Sequence, residues 1–296
     1  MESMPQQFNR SDQSVSPALP RPLSVLRADP ERLLGVRAGS GTAVNSGFAG
    51  LVAIVLTTFF FYGVYLFPEG PFRSMLLERG PTQYIAVFLG LWCAVILVFK
   101  KRKLSIQRRA LRHAVIPENH EFVLTTTSAD QVIRAIYAIA DDPQRFLVYN
   151  RILIALTSLK NLGRASDVDD ILRSIGERDE STHQTSFATL GGFLWAIPVL
   201  GFIGTVLGLA SAIGNFSSLL DNQTDVSGIV GSLKEVTGGL STAFETTLLA
   251  LVIALVLQLW ITSQKKAEEV FLDDCQDYGL RQIVSRIKVQ REQEPN

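Results

Sequence analysis

The chain has 296 residues, 47% of them hydrophobic and only 19% charged, with a mean hydropathy of +0.22. That balance argues against an ordinary soluble protein and for a membrane protein. Its 28 basic and 28 acidic residues cancel, so no overall field points to nucleic acid as a partner.

Residues 1–47 carry scattered arginines, prolines and serines, without the short apolar core and small-residue cleavage site of a removable signal peptide. They are expected to form a polar, partly disordered cytoplasmic arm. Four windows are then long and apolar enough for the roughly 20-residue requirement of a bilayer: 48–67 (FAGLVAIVLTTFFFYGVYLF), 83–99 (QYIAVFLGLWCAVILVF, flanked by Gln83 and Lys100), 190–213 and 240–262. The expected fold is an all-α integral membrane protein with four transmembrane helices. A helical cytoplasmic region at 100–189 joins the second and third spans, and a cytoplasmic helix at 263–296 follows the fourth.

The stretch at 146–159 (FLVYNRILIALTSL) is also apolar, but Asn150 and Arg151 stand near its middle. A central Arg costs about 2.5–3.5 kcal/mol on insertion scales. It is therefore read as a buried soluble helix started by Asp142 and Pro143 and stopped at Gly163. KKRKLSIQRR at 100–109 follows the second span and QKK at 264–266 follows the fourth, so the positive-inside rule puts both termini in the cytoplasm. The outer region at 214–239, with Asn215, Asp221, Asn222 and Asp225, reads as a loop, with an ion vestibule as the alternative. Cys93, in an apolar run, and Cys275, in a charged tail, suggest neither a disulfide nor a metal site. His113, His120 and His183 share no metal or triad spacing and are expected at solvated or juxtamembrane surface, so an enzyme is not expected.

In the third span Gly201, Gly204 and Gly208 fall on one face, a spacing that lets helix backbones approach closely. Thr205 lies one position off that stripe. Pro198 removes a backbone hydrogen bond and is expected to bend the helix. In the fourth span Ala243, Thr247, Ala250 and Ala254 form a second small-residue stripe. A threonine hydroxyl donates and accepts without carrying charge, which suits a hydrated path or a carboxyl that alternates between protonated and ionised forms. Alternatively Thr205 and Thr247 bond the carbonyls one turn back in their own helices. Glu245 is the one carboxylate well inside a span and lies about 200° around the helix from Thr247. It can snorkel to the interface, pair across a subunit boundary or bind an ion.

PVLGFIGTVLGL at 198–209, followed by GGLSTAFETTLLALVIAL at 238–255, resembles the proton-channel family containing MotA, TolQ and ExbB. The first stretch is similar to that family's pattern at Pro198, Gly201, Gly204, Thr205 and Gly208; the second is similar at Gly239, Leu240, Ser241, Ala243 and Thr247. The resemblance implies a pentameric homo-oligomer in the bacterial inner membrane, surrounding two copies of a single-span ExbD/TolR/MotB-like partner that bears an aspartate. Flow of protons, or as second choice sodium, past that aspartate drives mechanical work; no cofactor is implied. The family's pore-facing threonines map onto Thr205 and Thr247, and Thr242, Thr246 and Glu245 are the neighbouring ion-pathway candidates. ExbB and TolQ usually have a glutamate where this chain has Thr242, whereas here the glutamate is Glu245. A non-conducting membrane scaffold and a small secondary transporter are the competing readings.

Overall fold

The computed structural model describes Leu23, Glu31 and residues 41–77, 80–113, 115–116, 124–162, 164–222 and 226–287. Most of the expected N-terminal arm, the end of the expected C-terminal helix, and Gly163, His120 and Asp225 lie outside the described residues. Helices account for nearly all of the rest: α1 (Ser46–Leu66), α2 (Pro71–Leu77), α3 (Pro81–Arg112), α4 (Thr126–Ile139), α5 (Leu147–Leu162), α6 (Ala165–Asn222) and α7 (Val226–Gln282). No strand occurs among the described residues, only isolated bridges joining Leu23 to Ala140 and Leu124 to Ile287.

Four helices, α1, α3, α6 and α7, are long and apolar enough to cross a membrane. The chain is an all-α membrane protein. Asn45 opens α1 by accepting from the Phe48 amide at 3.3 Å, and Pro81 starts α3, where a missing N–H costs nothing. Ala49, Gly50 and Ala53 give α1 a small face towards α3. A Cβ on Gly50 would come within 2.8 Å of the Trp92 ring. The opposite side of α1 exposes Phe59, Tyr62 and Leu66, as a lipid-facing surface requires.

The helices run well past the expected spans. α6 has 58 residues and α7 has 57, each about 86 Å long at 1.5 Å per residue. Three readings change as a result. The region 214–239, read as a loop, is helix except at the undescribed 223–225, because its polar residues extend two strongly helical runs rather than ending them. The segment 166–180 is one helix with the third span, and the tail to Gln282 is one helix with the fourth. Pro198 lies inside α6 without ending it.

The polar ends of α3, α6 and α7 pack with α4 and α5 around a second core containing Leu104, Ile136, Phe146, Ile152, Leu172 and Phe271. Thr125 caps α4 by accepting from the Ser128 amide, and Ser128 returns the bond. The helix α5 is built into this core through Val148, Tyr149, Ile152 and Leu156. Arg151 is 3% exposed; its Nε donates to Asp179 at 2.8 Å and its Nη1 to Gln276 at 3.2 Å. The Tyr149 hydroxyl donates to the Ala110 carbonyl at 3.1 Å. Leu23 joins the same core, so part of the expected arm is built into the fold.

Candidate functional site: a threonine pair and a buried charge cluster

The glycines of α6 face α7 at backbone contact distance. A Cβ on Gly201 would lie 2.6 Å from the Ala250 methyl, one on Gly204 2.7 Å from the Thr246 hydroxyl, and one on Gly208 2.9 Å from the Ala243 amide and the Gly239 carbonyl. Ala243, Ala250 and Ala254 are buried on the answering face of α7. The two expected stripes therefore meet each other. Thr246, rather than Thr247, occupies the middle of the seam: it is 2% exposed and donates to the Ala243 carbonyl at 3.0 Å.

Thr205 and Thr247 stand side by side at the edge of this seam, half-buried, with their hydroxyls in direct hydrogen-bond contact. The Thr205 hydroxyl also lies 3.1 Å from the Ala243 carbonyl across the seam and 3.2 Å from the Gly201 carbonyl in its own helix. Thr247 does not bond back into α7; it donates to the Gly201 carbonyl of α6 at 3.0 Å. The backbone-bonding alternative thus describes half of Thr205 and none of Thr247. Two hydroxyl protons serve four contacts, so donor and acceptor roles can exchange by rotation of O–H bonds alone.

The remaining candidates stand apart from this pair. Thr242 bonds the Gly238 carbonyl one turn back, at 2.9 Å. Glu245 is half-buried and accepts from Ser241 at 2.8 Å, one turn towards the N-terminal end of α7.

A second polar site was not visible in the sequence. Lys100, fully buried, donates to Glu268 at 3.1 Å and to Ser186 at 2.9 Å. His183 Nδ1 meets the same Glu268 oxygen at 3.1 Å, Thr42 donates to it at 2.9 Å, and Gln264 donates to the other oxygen at 3.0 Å. The Lys100 ammonium also sits 4.2 Å from the centre of the Phe187 ring. Burial pushes the Glu268 carboxyl up, but the His183 hydrogen bond, the Lys100 charge and the Gln264 hydrogen bond outweigh it and hold the group below its ordinary value. His183, expected at the surface, is 4% exposed. Gln83 and Lys100, read as polar flanks of the second span, are both buried. Lys100 finds acceptors, while the Gln83 amide has no hydrogen-bond partner among the described residues. The one available sequence signal for this cluster was the pair Gln264 and Glu268, four apart just beyond the fourth span.

Residues 144–274 match the model of the MotA/TolQ/ExbB proton channel family. The match takes in all of α5 and α6 and most of α7, and so both glycine–threonine stretches and the threonine pair. Over this segment the chain is similar to the MotA/TolQ/ExbB proton channel family. No curated protein and no solved structure matches it. The match is to proton-channel subunits of the membrane, in keeping with the four membrane-length helices. The match extends further towards the N-terminus than the motifs alone, reaching the buried Arg151–Asp179 pair, Lys160 and His183.

Proposed function

We propose that the chain is the ring-forming subunit of an ion-driven motor in the bacterial inner membrane, with both termini cytoplasmic. In this reading a pentamer surrounds a single-span ExbD/TolR/MotB-like partner. Protons, or failing them sodium ions, pass between the partner's aspartate and the Thr205–Thr247 pair, with Thr242, Thr246 and Glu245 nearby. The subunit performs no covalent chemistry and needs no cofactor. The observation that carries the reading is the hydroxyl contact at the edge of a seam built mainly of glycine and alanine, with Thr246 at its middle. A neutral pair with more acceptors than protons can hydrogen-bond a carboxyl group in either of its protonation states.

The test is to co-express the subunit with its partner lacking its periplasmic plug and to follow cytoplasmic pH. Thr247→Val and Thr205→Val are expected to abolish the proton leak, and an unchanged leak in both overturns the pore assignment. Glu245→Gln separates a used charge, which abolishes the leak, from a group that only snorkels, which leaves it intact.

One observation favours a second reading, a non-conducting scaffold. Each threonine already has a backbone carbonyl within hydrogen-bond distance, as a purely packing role requires. The scaffold reading predicts that Thr→Val variants weaken assembly in proportion to any loss of function, whereas the motor reading predicts assembled complexes that do not conduct.

A further inference from the structure

The basic run after the second span divides between two faces of α3. Lys100 and Lys103 turn inward, each against a carboxylate: Glu268 at 3.1 Å and Glu31 at 2.5 Å. Lys101, Arg108, Arg109 and Arg112 instead line a cleft between α3 and α7, with Trp260 and Ser263 on the other wall and no acidic residue in the lining. The ion pairs among the described residues engage none of these four cations. Like charges gathered without counter-charges repel one another, so the cleft is complementary to an anion.

We infer that this cleft binds the headgroup phosphate of an anionic phospholipid in the leaflet where the second and fourth spans end. Arg108 is already oriented, with its Nη2 donating to the Ala267 carbonyl at 2.8 Å, and its remaining N–H groups suit a phosphate. Helical side chains lean towards their helix N-terminus, which for α3 is the membrane side, so these cations point back towards the headgroup layer. Half-buried Trp260 lies at the end of the apolar run, where an indole sits naturally at the lipid–water boundary. One turn further into the bilayer, exposed Val256 continues the same face of α7 and offers the acyl chains a surface that a free phosphate ion would not use. The inference needs only the spans; it does not depend on ion conduction.

The test uses the full-length protein in zwitterionic detergent, titrated with short-chain phosphatidylglycerol or with phosphatidylcholine of the same chain length and read by native mass spectrometry. The wild type is expected to prefer phosphatidylglycerol. The double variant Lys101→Gln/Arg109→Gln, at two exposed positions, is expected to lose about 10-fold or more of that affinity, each surface cation being worth about fivefold. Arg102→Gln/Lys266→Gln removes the same charge outside the cleft and is expected to keep the preference. Equal losses in the two double variants mean diffuse attraction to a basic surface and overturn the site. A wild type without preference also overturns it, and leaves the cleft to another protein chain.

Discussion

The membrane seam and the polar core hold α6 and α7 together by opposite means. At Gly201, Gly204 and Gly208 the helices approach until a single methyl group would not fit, and the polar atoms present are neutral hydroxyls serving backbone carbonyls. Beyond the membrane the contact is charged: Lys100, Glu268 and His183 share one buried cluster, with Thr42 delivered from the N-terminal segment. Apolar burial supplies no drive between helices in lipid, so packing and weak hydrogen bonds must hold the seam. Outside the membrane a hydrophobic core exists, and charges can be buried if every one is answered.

The largest expected effect breaks the charged side. Glu268→Ala leaves Lys100 and His183 buried without their carboxylate and is expected to destabilise the protein by about 3–5 kcal/mol, read as a lowered unfolding temperature in detergent. A near-normal value would show that Lys100 reaches water. The pH dependence has a definite sign. Because the folded carboxyl lies below its ordinary value of 4.5, its stabilisation is complete above that value and is lost as pH falls through the lower folded one. Glu268→Gln should therefore flatten the acid limb of the stability profile.

On the membrane side, Gly208→Val forces carbon against the Ala243 amide and the Gly239 carbonyl and is expected to cost about 1–3 kcal/mol. Gly214→Ala, where an added Cβ would meet nothing, is expected to be tolerated, and equal effects would refute the close-packed seam. Smaller again, Thr247→Val should cost about 0.6–1.7 kcal/mol in unfolding assays, and Thr247→Ser nearly nothing. The least visible effect concerns Cys275, whose thiol burial raises to about 12. Maleimide labelling of the folded protein at neutral pH should be negligible and should appear only on unfolding.

The spans were legible because a bilayer imposes a length and a composition that few other structures share. Gly201, Gly204 and Gly208 were legible because their spacing has few uses besides close approach. The register of the answering stripe was less so: Thr246 and Thr247 lie on either side of the line through Ala243 and Ala250, and sequence periodicity cannot decide which enters the seam. The charge cluster was hidden for a different reason. Lys100 and Glu268 are 168 positions apart, and a lysine after a span is explained by topology before a buried partner is ever considered. The region 214–239 misled because loop-like composition at a membrane surface does not end a helix already propagating from an apolar run.

The unbroken course of α6, from the polar core through the seam to Asn222, makes it a lever with its fulcrum at the glycines. For a stiff rod, a tilt of about 5° at the seam moves a point 40 Å away by about 3.5 Å, using the axial rise of an α-helix. That displacement is comparable with the length of a hydrogen bond. A tilt of α6 at the seam would therefore displace Asp179 and its hydrogen bond to Arg151 without any relay of side chains between them.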